Sequence, residues 1–203
     1  MQLRGHHEVL NRLRPSTVSG LSDVTLSEGG RVVSDLKTAV YIKIVELPAT
    51  RVVSFHVPNS ITPEEEAYGM LAVWGEPRGV LDQPAVFQVF GFNHPYGPMG
   101  QPRGYELWVT IPDDYDPGDD VVVKHFGGGK YAMVTLRGVN NIGPLVQMLH
   151  DWVATSDNYE SGYPAEFNVD VDPMPDLEQV VSPLGIPAEE YRLDYYVAIR
   201  DKC

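Results

Sequence analysis

The chain has 203 residues, 43% of them hydrophobic and 21% charged, which suits one globular domain or two small modules sharing a core. Its net charge of −13 repels phosphates and argues against direct nucleic-acid binding, leaving cations or a basic protein surface as natural partners. No apolar run approaches the roughly 18 residues of a membrane span, and the one cysteine, Cys203, excludes an internal disulfide.

The start, MQLRGHHEVLNRLRPS, lacks an apolar signal core, so a cytoplasmic protein is expected. Residues 1–37 read as an N-terminal extension with at most a short helix over 6–14. Two strand-like runs follow, 39–47 (AVYIKIVEL) and 50–57 (TRVVSFHV), separated by Pro48-Ala49. A helix is predicted after Thr62, which caps it, with Pro63 in the first turn and Glu65 completing a capping box. Ala67, Met70, Leu71 and Trp74 then recur at helical spacing. Strands are predicted at 85–92 (AVFQVFGF) and 105–111 (YELWVTI), with a Pro- and Gly-rich loop between them. The stretch 112–120 (PDDYDPGDD) is a solvated linker.

Beyond it the order recurs. The runs 120–126 (DVVVKHF) and 130–136 (KYAMVTL) flank Gly127-Gly128-Gly129. A helix starts near Asn140 or Asn141 and carries Ile142, Leu145, Val146, Leu149, Trp152 and Val153 on one face. Strands at 165–171 (AEFNVDV) and 193–199 (LDYYVAI) close the half, and the proline-rich stretch 172–190 between them reads as a surface loop. Met70-Leu71-x-x-Trp74 aligns with Met148-Leu149-x-x-Trp152, and the four strands align in order. The fold expected is α+β: duplicated β-β-α-β-β units (38–111 and 120–200) within one domain, 38–203. They form an antiparallel sheet with two helices on one face and a central ligand cleft on the other.

Strand alternation assigns the faces. Tyr105, Leu107, Val109 and Ile111 go under the helices, as do Leu193, Tyr195, Val197 and Ile199, and Phe87, Val89, Phe167 and Val169. The opposite face collects Glu106, Trp108, Asp194, Tyr196, Gln88, Phe90, Asn168 and Asp170. Aromatic surfaces beside carboxylates and amides suit a flat, cationic or amphipathic organic molecule. Trp74 and Trp152, on the apolar faces of their helices, are expected in the core.

The segment Val121–Arg200 resembles the GyrI-like family, the effector-binding domain that also occurs behind the DNA-binding parts of AraC-type and MerR-type regulators. The resemblance rests on Gly128-Gly129-Lys130-Tyr131-Ala132-Met133, on Pro164-Ala165-Glu166-Phe167-Asn168-Val169-Asp170 and on Tyr195-Tyr196-Val197-Ala198-Ile199. It implies a small organic ligand, in sensing, sequestration or resistance. The family often carries a glutamate after the phenylalanine to meet cationic ligands; this chain has Asn168, and Glu166 shares that strand face. Two alternatives follow from the same resemblance. One is a hydrolase using Glu106 as base and Tyr196 as orienting group, which requires the cleft to raise the pKa of Glu106. The other is an inhibitor that binds a target protein such as DNA gyrase. No cofactor is implied. The six histidines form no metal-binding pair, and Lys130 after three glycines lacks the spacing of a phosphate loop.

Overall fold

The computed structural model describes residues 32–33, 40–93, 102–137, 142–162, 175–180, 190 and 192–203. In chain order the strands are β1 (Val32–Val33), β2 (Val40–Tyr41), β3 (Lys43–Leu47), β4 (Thr50–Ser60), β5 (Val89–Asn93), β6 (Arg103–Ile111), β7 (Val122–Phe126), β8 (Gly129–Arg137), β9 (Tyr159–Ser161), β10 (Leu177–Val180) and β11 (Arg192–Asp201). The helices are α1 (Pro63–Gly75) and α2 (Ile142–Thr155), with a 3-10 turn at Val80–Asp82. The chain is α+β, and it divides into two compact units.

The first unit centres on Thr50–Phe126. Its strands run β5-β6-β4-β7, each antiparallel to its neighbour. The β4–β6 register shifts between Val57 and Ser60, where Pro58 has no N–H for the ladder. One face of this sheet packs on α1. Phe55, Val57, Tyr105, Leu107, Val109 and Ile111 interlock there with Ala67, Leu71 and Trp74, as the alternation of 105–111 predicts. Phe87 joins this core and Val89 packs against it.

Some local expectations need correction. Thr62 precedes α1 but makes no side-chain cap. The Ser60 hydroxyl instead accepts the Thr62 N–H at 3.1 Å and donates to Glu66, tying the approach to the helix to its first turn. The strand expected at 85–92 starts only at Val89, because Val86 and Phe87 both fold back to donate to the Gln83 carbonyl. Met70 faces outward, 44% exposed, since Ala67, Leu71 and Trp74 already fill the buried stripe.

The second unit comprises Gly127–Glu178 and Pro187–Cys203 with Ser19–Ala49. Strands β3 and β9 pair with β8 and β11 respectively, and β8 pairs with β11, all antiparallel. Helix α2 lies on β8, β9 and β11 and buries Leu145, Leu149 and Val153. Trp152 is only half-buried, against Tyr159 with ring centroids 6.0 Å apart, so it is not the core residue expected. The extension supplies β1, paired with β2, and β10 forms inside the stretch expected to be loop. The possible helix at 6–14 and the strand at 165–171 lie outside the described residues.

The strands of each sequence repeat are shared out unexpectedly. The opening strand of the first repeat, β3, belongs to the second unit, and that of the second repeat, β7, to the first. Pro48-Ala49 and Gly127–Gly129 are therefore not hairpin turns. They pass each other closely: a Cβ on Gly128, whose φ is 76°, would lie 2.6 Å from Ala49 N and from Leu47 O. Only glycine fits that position.

Candidate functional site

On β6 the side chains between those of the core point away from α1. They are Glu106, Trp108 and Thr110, and on this sheet face β5 sets Phe92 opposite Glu106 and Phe90 opposite Trp108. Strand β4 contributes Ser54 beside Trp108, and β7 adds Lys124 and Phe126. This side is not an open, solvated sheet face. Phe90, Phe92, Trp108, Phe126 and Ser54 are all buried, and Glu106 is 1% exposed.

Burial of a carboxylate is costly unless donors surround it. Three converge on Glu106 Oε1: the Ser54 hydroxyl, the Trp108 indole N–H and the Lys124 ammonium, each at 2.6 Å. Trp108 is held between two further rings, edge-on to Phe92 at 4.7 Å and tilted to Phe126 at 5.6 Å. Its edge N–H then points at the carboxylate while its faces meet hydrocarbon. Burial alone pushes the Glu106 pKa up, but the Lys124, Ser54 and Trp108 hydrogen bonds together outweigh it and hold the carboxyl below its ordinary value. The hydrolase alternative needed the reverse direction. Lys124 is the accessible member of the cluster, with 40% of its side chain exposed.

A family model of integron-associated effector-binding proteins, Cass2, matches residues 43–199, over three quarters of the chain. The chain belongs to that family. The fold agrees with an uncharacterized conserved protein from Listeria innocua (12% identity, TM-score 0.57, covering 78% of this chain and 92% of that one). It also matches a hydrolase from Listeria innocua (11%, 0.56, 78% and 91%) and the EcmrR C-terminal domain (13%, 0.54, 80% and 99%). At such identities these likenesses speak for the fold. No curated protein matches the sequence. The GyrI-like resemblance read from the second half of the sequence holds.

In this effector-binding domain the second unit carries its own version of the face. On β11, Leu193, Tyr195, Val197 and Ile199 alternate with Asp194, Tyr196 and Ala198. Tyr196 pairs with Met133 and Asp194 with Thr135, whose hydroxyl donates to Asp194 Oδ1 at 2.6 Å. Tyr196 and Tyr131 are buried with rings edge-to-face at 6.2 Å. Burial holds both phenols above their ordinary range, assisted at Tyr196 by the Asp194 charge and at Tyr131 by that of Asp176.

Of the residues singled out in the sequence, Glu106, Trp108 and Phe90 share one face of the first unit, and Asp194 and Tyr196 one face of the second. Gln88 departs. It precedes β5, binds Thr110 through its backbone, and lines a groove with Tyr68, Pro84 and Phe87 instead. Asn168 and Asp170 lie outside the described residues. Sequence reasoning missed Ser54 and Lys124. The lone lysine in the apolar run 121–126 was the available signal, because a charge in a valine-rich strand needs a partner.

A second concavity, of about 360 Å³, lies in the second unit between α2 and β9, with His150, Tyr159, Glu160 and Lys202 on its walls. Beneath it Asp176, 3% exposed, lies 3.1 Å from His150 Nε2 and accepts from the Tyr195 hydroxyl at 3.3 Å. The Asp176 hydrogen bond raises the His150 pKa, against burial, which lowers it.

Proposed function

We propose that this domain is a cytoplasmic receptor for a small, flat aromatic or amphipathic organic molecule, used in sensing, sequestration or resistance. The ligand sits against the sheet face that carries Glu106, Trp108 and Phe90. One observation carries the reading: a fully buried carboxylate set among aromatic rings on the face turned away from the helix. The α1 side already supplies the unit's hydrophobic core. A fold needing only stability gains little from burying an ion pair where apolar side chains would serve as well. Rigid rings beside a fixed charge and a part-exposed ammonium are instead the furniture of a recognition site. Asp194 and Tyr196 give the second unit a related surface, and Asn168 and Asp170 belong to the same proposal.

The hydrolase alternative draws on the Listeria innocua relative and on Glu106 as base. A base working near neutrality needs its carboxyl raised, whereas Glu106 is held down. The protein-inhibitor alternative draws on the GyrI-like resemblance and on the net charge of −13.

Thermal denaturation against a panel of planar aromatic amines, dyes and amphiphiles tests the reading. A true ligand at a hundred times its Kd adds about 2.7 kcal/mol to the folded state. The melting temperature should rise for a subset of compounds, and Trp108→Leu should abolish the rise while remaining folded. No shift with any compound, from protein with a cooperative transition, would overturn it.

A further inference from the structure

We infer that the concavity between α2 and β9 is a second binding site, which takes a small organic carboxylate: the oxygens on His150 and Lys202, the hydrocarbon on Val153, Ala154 and Val197. All of its walls belong to the second unit, whereas Glu106 belongs to the first, so this site goes beyond the function proposed above and is tested separately from it.

His150 follows Leu149 on α2 and so stands at the margin of the helix's buried stripe. Its Nε2 lies 3.1 Å from Oδ2 of Asp176, and the same oxygen accepts from the Tyr195 hydroxyl at 3.3 Å. A carboxylate as enclosed as Asp176, 3% exposed, needs those donors and fixes the ring in return. With Nε2 given to Asp176, Nδ1 is the ring nitrogen available to a molecule in the concavity. Once the ring is protonated Nδ1 donates, and an anion beside it completes a row of carboxylate, imidazolium and carboxylate.

Lys202, just past β11, supplies the second donor. Its ammonium donates to the Ser156 carbonyl at 2.6 Å and meets no carboxylate among the described residues. Of the two carboxylates on the same walls, Glu160 is neutralised by Arg200 at 2.7 Å. Asp151 is exposed and accepts from Gln147 of its own helix at 2.9 Å. A carboxylate therefore finds two N–H groups with charge to offer, while a cation finds one solvated carboxylate and the lysine as a like charge. The space of about 360 Å³ is of the size that holds small organic molecules. Val153 and Val197, both buried, make part of its lining apolar, which favours an anion with a hydrocarbon body over an inorganic one.

Binding is coupled to the protonation of His150. The titratable and charged groups around that ring are Asp176 and Tyr195, Asp151 on its own helix, Tyr159 and Glu160 from β9, Lys202, and Tyr131 of β8 beside Asp176. The Asp176 hydrogen bond already favours the charged ring, against burial. A bound carboxylate adds to that preference, so the ligand is held best below the folded pKa of His150 and more weakly above it.

The test is an NMR titration of the His150 ring in the whole chain with benzoate, 2-naphthoate and octanoate, against benzamide and inorganic phosphate as controls. At least one carboxylate should shift the ring signals saturably and, at saturation, raise the His150 titration midpoint by about one unit. That is the same as an about tenfold loss of affinity once the ring is neutral. Benzamide and phosphate should leave the midpoint in place. Lys202→Met, and His150→Gln followed through the neighbouring amides, should each weaken the carboxylate about tenfold. Three results overturn the site: no saturable shift with any of the three carboxylates, a midpoint that stays put at saturation, or carboxylate binding indifferent to both substitutions. The first two need only the wild-type protein, so misfolding of a variant does not rescue the inference. None of them bears on the Glu106 face.

Discussion

Glu106 and Asp194 occupy matching positions in the two sequence repeats, each on the strand face away from its helix, yet their acidities move in opposite directions. Glu106 is held below its ordinary value despite burial, through Lys124, Ser54 and Trp108. Asp194 is raised by burial, which the Thr135 hydrogen bond and the charges of Lys43 and Arg192 only partly offset. The difference comes down to where one lysine stands. Lys124 donates to Glu106 Oε1 at 2.6 Å, whereas Lys43 acts on Asp194 through its charge. The two sequence-matched surfaces thus differ: one holds a closed ion pair and the other an under-compensated carboxylate.

Several substitutions break or sharpen this contrast. The largest effect falls on the second unit's strand connections. Gly128→Ala combines a left-handed φ with a Cβ 2.6 Å from two backbone atoms. It should cost about 3 kcal/mol in urea denaturation. Next comes Lys124→Met, which leaves Glu106 buried without its ammonium. A loss of about 2 kcal/mol at neutral pH is expected, below the figure for a fully buried pair because the lysine head is part-exposed.

The pH dependence carries the sign of each group. The folded Glu106 is the stronger acid, so its contribution is present above the ordinary carboxylate pKa and lost as pH falls through its lowered value. Lys124→Met should flatten that acid-side loss. The folded Asp194 is the weaker acid, so its ionisation penalises the folded state at neutral pH and the penalty vanishes in acid. Asp194→Asn should therefore be neutral or stabilising by up to about 1 kcal/mol at neutral pH, judged by melting temperature. A clear destabilisation would mean that Asp194 too is fully paired. The smallest effect is at His150, whose raised pKa gives stability that is present below the ordinary histidine value and fades as pH rises through the folded one. Asp176→Asn should shift the His150 NMR titration midpoint down and flatten that slope.

Period and repetition made much of the fold legible in the sequence. The alternation of 105–111 and 193–199 placed the core side of both strands, and the helical spacing of Leu71 and Leu149 placed the buried stripe of both helices. The repeat misled at its tryptophans. In α2, Val153 fills the position four residues after Leu149, while in α1 the equivalent place is Gly75. There Leu71, Val80 and Leu81 close over the glycine, and Trp74 reaches inward and donates to the Pro117 carbonyl at 2.9 Å, whereas Trp152 lies half-buried against Tyr159. Strand partners were the other blind spot. Which strand lies beside β4 is a tertiary choice that periodicity does not encode, so Lys124, brought to Glu106 by the β4–β7 pairing, stayed hidden.

The claim that the Glu106–Trp108 face receives the ligand is tested most directly by the three indole N–H signals in a nitrogen-15 NMR titration with the tightest compound of the panel. The Trp108 indole donates to Glu106 and the Trp74 indole to Pro117. The Trp108 signal should shift saturably while those of Trp74 and Trp152 stay in place. A stationary Trp108 signal at saturation, with Trp74 or Trp152 moving instead, would contradict it.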